Sequence, residues 1–139
     1  MVVDEFFSSP SLSVAATADQ LHTLRALVQS RCAHHDLAPD AVADLVLAVD
    51  EAASTLLHLT VACSTLTCTV RVDTSNLSVI LTGTTSAMVD TSITSYSWFV
   101  LQNLVDGVAL EQCPSAVAGP TEIWAVTVTL AMTLDAIHG

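Results

Sequence analysis

A glutamate and a threonine one helical turn apart are the residues of this chain whose types and spacing could do chemistry together. Glu51 and Thr55 lie in the segment 40–58, in which apolar residues recur at helical spacing. At about 100° per residue, Glu51 lies nearly opposite the centre of the apolar stripe, with Asp44 and Thr55 close to it. Such a pair could supply a general base and a metal ligand beside a bound nucleotide. Without a nucleotide, Glu51 is an ordinary solvated helix residue.

The elements that must position this segment follow a regular order. Apolar periodicity and turn residues predict β-α-α-β-β-α-β-β, which favours an α/β two-layer sandwich with three helices on one face of a mixed, mostly antiparallel sheet. A capping box, Thr17-x-x-Gln20, opens the first helix, and Pro39 lies in the first turn of the second. The predicted strands are 11–16, 66–73, 77–82, 108–112 and 121–132, and the predicted helices are 17–33, 39–59 and 95–105.

Length and composition indicate one domain. We interpret residues 1–10 as a flexible tail and residues 11–139 as a single folded unit, a size that suits a sizeable core. No apolar run approaches the roughly 18 residues of a membrane span, and the first ten residues carry acids where a signal peptide needs basic residues. These features predict a cytoplasmic protein. The four cysteines form no C-x-x-C pair, so we expect free thiols.

The charge of the chain is strongly one-sided. It has no lysine, its cations are Arg25, Arg31 and Arg71, and the net charge is −11. Direct nucleic-acid binding is disfavoured, because phosphate contacts need many cations. An acidic surface favours a basic protein partner, although the acids could equally serve only to keep a chain that is 52% hydrophobic in solution. We expect no metal site, since His34 and His35 are adjacent and point apart on a helix end.

Two helices carry a resemblance to a known family. Leu47-Ala-Val-Asp50 followed by Glu51-Ala-Ala-Ser-Thr55, and the third helix Trp98 to Val108 with a preceding serine, resemble motifs of the anti-sigma-factor serine kinases of the GHKL (Bergerat-fold) ATPase superfamily. The likeness spans about residues 11–132 and is nearest to the actinobacterial stress anti-sigma factors. In that family the second helix carries Glu-x-x-x-Asn, a general base and a magnesium ligand. The resemblance thus implies a nucleotide site at Glu51, Thr55, Gly83, Ser95 and Ser97.

The chain departs from the family at three points of that site. Thr55 replaces the magnesium-binding asparagine. Residues 81–86 contain Gly83 but lack the aspartate that reads adenine, and Ser95-Tyr-Ser97 replaces a Gly-x-Gly that lets the backbone approach phosphates. The resemblance therefore implies a degenerate ATP site, with Glu51 vestigial, no catalytic residue and no cofactor.

The resemblance implies a bacterial, cytoplasmic regulator of the stress response. We expect an anti-sigma factor that sequesters an alternative sigma factor by protein–protein binding and is released by a STAS-domain anti-anti-sigma protein. The alternative is an active serine protein kinase that phosphorylates the anti-anti-sigma protein with ATP and magnesium, and a third option is an orphan dimerisation module. Members of the family are often dimeric, so a homodimer is also open.

One arginine is the candidate for partner contact. The spacing from the first strand to Glu51 matches the family without a gap, and it places Arg25 at an arginine that contacts both the sigma factor and the anti-anti-sigma protein in the family. The alternative is an ordinary surface arginine whose stem covers apolar surface.

Overall fold

The computed structural model describes residues 10–35, 37–91, 95–115 and 123–134. Within these ranges, three α-helices and five β-strands follow one another in the predicted order, and one turn of 3₁₀ helix, Ala18–Gln20, leads into the first α-helix. The helices are α1 (Leu21–His34), α2 (Pro39–Leu59) and α3 (Tyr96–Leu104). The strands are β1 (Ser11–Ala15), β2 (Thr65–Val72), β3 (Asn76–Thr85), β4 (Gly107–Pro114) and β5 (Trp124–Thr133).

The strands form one sheet in the order β1-β2-β3-β5-β4. Every neighbouring pair in it is antiparallel. The predicted α/β sandwich is thus confirmed, with an antiparallel sheet in place of a mixed one. β4 runs parallel to β3, but these two strands do not pair, because β5 lies between them. After the edge strand β4 the chain turns back as β5, which pairs with both β4 and β3.

The helices pack on one face of this sheet. Apolar and polar residues alternate along β5, as expected for a strand with one covered face: Val126, Val128 and Leu130 are buried against the helices, while Thr127 and Thr129 face outward. The apolar stripe of α2 supplies the centre of the core, with Leu45, Val49, Ala52, Ala53 and Leu56 at 2% exposure or less. Burial of this stripe, at roughly 25 cal/mol per Å² of apolar surface, holds the outer face of α2 in a fixed orientation.

Several element bounds differ from the prediction. β3 continues to Thr85, so Gly83 lies inside a strand and pairs with Leu66 and Val126 instead of opening a loop. Thr17 precedes the 3₁₀ turn, but its side chain makes no capping hydrogen bond, so the predicted capping box does not form. The predicted tail falls mostly outside the described residues, as do Thr121 and Glu122 of the predicted last strand.

The described residues also bear on the membrane and thiol predictions. No helix among them is long and apolar enough to cross a membrane. All four cysteines are free thiols: Cys32 and Cys68 lie in the core, and Cys63 and Cys113 are exposed. Burial raises the pKa of the Cys68 thiol to about 12, so this thiol stays protonated and inert near neutral pH.

Candidate functional site

Glu51, Thr55 and Ser97 form a hydrogen-bonded cluster between α2 and α3, here called the Glu51 cluster. The Ser97 hydroxyl donates to Oε2 of Glu51 at 2.6 Å, and the Ser97 and Thr55 hydroxyl oxygens are 2.7 Å apart. Thr55 also donates to the main-chain oxygen of Glu51 at 2.9 Å. Because the single proton of Ser97 goes to Glu51, the proton between the two hydroxyls comes from Thr55, which shares it with that main-chain oxygen.

The cluster changes the interpretation of Glu51. The helical projection places Glu51 on the outer face of α2, and that position is correct, but α3 packs against this face and leaves Glu51 half-buried. Its carboxylate therefore works as an acceptor that joins two helices. A general base would need its oxygen directed at a substrate proton, and here that direction is taken by the chain's own serine.

Local sequence explains why Ser97 reaches Glu51. The Ser95 side chain accepts a hydrogen bond from the main-chain N–H of Trp98 at 3.3 Å and caps the first turn of α3. Trp98 and Leu101 then pack into the core, which sets the rotation of the helix about its axis. One residue before Trp98, Ser97 is thereby turned toward α2.

The space beside the Glu51 cluster is a narrow, mostly apolar cleft. Thr55, Ser97 and Asp90 are the polar residues on its border, and Trp98, Leu56 and Val128 contribute apolar walls. The cleft has room for about one water molecule.

The remaining predicted nucleotide residues are not brought into this cleft. Gly83 is buried in the interior of β3, where an added Cβ would lie 3.4 Å from the Leu66 side chain and 3.6 Å from that of Thr60. Its backbone is that of an ordinary strand residue, and these are ordinary van der Waals distances, so nothing in the structure requires glycine at this position. Ser95 serves as the cap of α3. The structure therefore joins Glu51, Thr55 and Ser97, and separates Gly83 from them.

Arg25, the predicted contact residue, lies on α1 and faces Asp50 of α2. Its Nη1 donates to both carboxylate oxygens of Asp50, at 3.2 and 2.9 Å. The side chains of Arg25 and Asp50 are 38% and 29% exposed, so the ion pair is open to solvent. The pair ties α1 to α2, and Nη1 makes both contacts.

An open groove lies between α1 and α2, one helical turn away from this ion pair along each helix. Its walls include Leu21, one helical turn before Arg25, and Ser54, one turn after Asp50, together with Ala18, Leu57 and His58. The groove encloses about 460 Å³, including its solvent-open mouth. An apolar side chain of a partner could enter it while a polar group of the same partner reached Arg25.

Sequence reasoning missed two partners that matter here. The motif comparison gives Asp50 no role, although its position, about 100° from the centre of the apolar stripe and next to the edge of that stripe, places it beside α1. The contact between Ser97 and Thr55 joins residues 42 positions apart. A signal for it was present, because both residues replace motif residues of the same implied site.

Chemical groups for metal binding are sparse. Among the described residues, no group of three or more histidine, cysteine, aspartate or glutamate side chains could hold a metal ion.

Comparison of the sequence with protein-family models finds no match, and comparison with curated proteins finds none either. The case for a function therefore depends on the fold, the Glu51 cluster and the surface around Arg25.

Proposed function

We propose that this chain is an anti-sigma factor that sequesters an alternative sigma factor by protein–protein binding, without kinase activity. The observation that carries the proposal is the Glu51 cluster. Thr55 and Ser97, the two hydroxyl residues that stand where the resembled family has a magnesium ligand and a phosphate-approach glycine, bind each other and the would-be base. Hydrogen bonds within the chain thus take the place of contacts to nucleotide and metal.

The surface supports a binding role. The chain carries a net charge of −11, and the basic DNA-binding regions of a sigma factor would complement it and meet it at an increased rate. The side chain of Arg25 is 38% exposed, and arginine is enriched among the residues that contribute most to binding at protein interfaces. Leu21, one helical turn before Arg25, lines an open groove. A STAS-domain anti-anti-sigma protein would release the sigma factor by competing for this surface.

Nucleotide binding is the experiment that separates this proposal from the kinase alternative. Loss of the adenine-reading acid, the asparagine and the glycines removes roughly 1–3 kcal/mol of affinity each. Isothermal titration calorimetry with ATP and magnesium should therefore show no binding at micromolar nucleotide. A micromolar isotherm, or transfer of phosphate to a STAS-domain protein, would favour the kinase.

The binding role is tested separately. The purified chain is titrated into transcription reactions that contain core RNA polymerase and one alternative sigma factor of the source cell at a time. We expect inhibition with one sigma factor in the absence of ATP, and a stable complex of that sigma factor with the chain in gel filtration. If no sigma factor of the cell binds, the proposal is wrong.

A further inference from the structure

The strand β4 forms one edge of the sheet and pairs with β5 alone. Just beyond these two strands, the main-chain N–H of Ser115 donates to the main-chain oxygen of Ile123 at 2.6 Å. In an antiparallel ladder, residues that bond to the partner strand alternate with residues whose main-chain groups point the other way. Counting back from Ser115, we find that Val108, Leu110 and Gln112 direct their N–H and C=O groups away from β5.

These main-chain groups form a row along the edge, here called the free edge of β4. Val108, Leu110 and Gln112 make no main-chain hydrogen bond to another element within the part of the chain that the structure describes. Edge strands are commonly protected by lysine, by proline or by a bulge. The chain has no lysine, Pro114 is the last residue of β4, and residues 108–113 pair with β5 in regular register. The free edge therefore has the hydrogen-bonding pattern that a further β-strand completes.

The side chains of β4 define what an added strand needs on each of its two faces. On the helix side of the sheet, Val108 and Leu110 pack on the core but stay only half-buried. An added strand would cover them with apolar side chains at every second position. On the opposite side, Ala109, Glu111 and Cys113 are exposed, so the alternate residues of the added strand would lie beside a carboxylate and in contact with solvent.

Charge determines which strand fits. Glu111 makes no ion pair with a described residue, and β4 and β5 contain neither arginine nor lysine. A cationic residue opposite Glu111 would form a favourable cross-strand pair, whereas an acidic one would be repelled. A second copy of this chain would bring another Glu111 and a further net charge of −11 to the edge, which disfavours self-pairing.

We propose that the free edge of β4 binds an extended segment of a basic protein partner, in which apolar and cationic residues alternate, as a sixth strand of the sheet. Main-chain hydrogen bonds to Val108, Leu110 and Gln112 hold the segment, and its cationic residues meet Glu111. This site is separate from the surface around Arg25, because α1 packs on α2 and β2, and β3 and β5 lie between β2 and β4. The proposal therefore does not rest on the proposed function.

Amide hydrogen exchange of the isotope-labelled chain, followed by NMR, tests the free edge residue by residue. Without a ligand, the amides of Ala109 and Glu111 should be protected, and those of Val108, Leu110 and Gln112 should exchange fast. The probe is a peptide with blocked ends in which lysine and valine alternate over the length of β4. Its addition should protect the three outward amides. A control peptide of the same composition, with all valines before all lysines, should not.

Variants of the chain separate main-chain pairing from charge, with affinity measured by calorimetry. Leu110→Pro removes one outward N–H and leaves the bonds to β5 in place, whereas Leu110→Ala keeps this N–H and loses the same packing. Leu110→Pro should bind the alternating peptide at least about tenfold more weakly than Leu110→Ala. Glu111→Lys should weaken binding by a similar factor. Asp19→Lys makes the same charge change beside the opposite edge of the sheet, and should weaken binding less than about threefold.

Circular dichroism checks the fold of each variant, and Glu111→Lys with the exchange data decides the matter if Leu110→Pro is unfolded. The proposal is overturned if the alternating peptide leaves the three outward amides unprotected, or if it binds no better than the control peptide. Equal binding by Leu110→Pro and Leu110→Ala, or equal losses in Glu111→Lys and Asp19→Lys, would also overturn it. No sigma factor enters these experiments, so their failure is distinct from failure of the proposed function.

Discussion

At the scale of single residues, the departures from the resembled motif make sense as a pair. On its own, Thr55 would only remove the metal ligand of the resembled motif. On its own, Ser97 would only hinder the close approach of the backbone to a phosphate. Together they form hydrogen bonds that satisfy both hydroxyls and one oxygen of the Glu51 carboxylate. A structural contact between α2 and α3 thus lies at the place where the resemblance implies a nucleotide site.

This contact predicts an effect on stability. Glu51→Ala removes the acceptor of Ser97, and we expect it to lower the free energy of unfolding by about 1–2 kcal/mol, whereas Glu51→Gln keeps an acceptor and should cost less. Because the residues act together, Glu51→Ala and Ser97→Ala combined should cost less than the sum of the single changes, with a coupling of about 1 kcal/mol. Urea denaturation of the wild type and of the four variants measures these differences in the free energy of unfolding.

Two outcomes would contradict that account. Strictly additive losses would mean that the Glu51 and Ser97 side chains do not interact in solution. A folded Glu51→Ala variant that loses sigma-factor binding and repression would give the carboxylate a direct part in partner binding, which the proposed function does not assign to it.

At the scale of elements, the ion pair between α1 and α2 gives Arg25 two separable roles. Exposed pairs of this kind contribute about 0.5–1 kcal/mol, so Arg25→Asp should destabilise the chain modestly by losing the pair and placing two carboxylates together. The exchange Arg25→Asp with Asp50→Arg restores the pair and the net charge. It should therefore restore stability, but it moves the guanidinium onto α2.

Partner binding then distinguishes the two roles. If Arg25 is a contact residue, the exchanged protein should be as stable as the wild type and still bind the sigma factor at least about tenfold more weakly, because a bidentate arginine contact depends on position. Fluorescence titration measures the affinity. Full binding by the exchanged protein would show that Arg25 serves only to join the helices.

The turn between β2 and β3 provides a pH-dependent element. Oδ1 of Asp73 accepts the main-chain N–H groups of Ser75 and Asn76, both at 2.8 Å. These bonds, that of Ser75 first, lower the pKa of Asp73 below its ordinary value of 3.8. A carboxyl whose pKa is lower in the folded state stabilises the fold above its unfolded pKa, and this contribution is lost as the pH falls through the lowered pKa.

Replacement of Asp73 tests this turn. Asp73→Ala should lower the melting temperature at pH 7, and the difference from the wild type should shrink as the pH falls through the lowered pKa of Asp73. Asp73→Asn keeps an acceptor without a titrating group and is the control, since it separates the hydrogen bonds from the charge. If the difference in melting temperature is the same at pH 7 and at a pH below the lowered pKa of Asp73, the ionised carboxylate does not stabilise the turn.

At the scale of the whole molecule, the net charge of −11 governs encounters. If a basic sigma factor is the partner, the association rate should fall steeply as sodium chloride rises, because the Debye length shortens from about 10 Å at 0.1 M to about 3 Å at 1 M. The dissociation rate should change less. Stopped-flow mixing measures both, and an association rate independent of salt would argue against a basic partner.

Local pattern predicted much of this architecture. Apolar residues recur at helical spacing along α2 and at every second position along β5, so each of them buries its side chain on the same side of its element. The two elements and their inward faces therefore followed from the residues alone. Element ends were less well predicted. Gly83 ended the predicted strand because glycine favours turns, yet tertiary pairing with Leu66 and Val126 keeps it in β3.

The sequence by itself determined the order of elements and the core-facing sides of α2 and β5, because these depend on neighbours along the chain. Composition alone determined the excess of negative charge. Tertiary structure alone decided that α3 covers Glu51, that Ser97 meets Thr55, and that Asp50 holds Arg25. These contacts join residues 25–46 positions apart. The distances between these side chains depend on how the helices cross the sheet. The rotation of α3 about its axis is set by the packing of Trp98, and that of α2 by the packing of its apolar stripe.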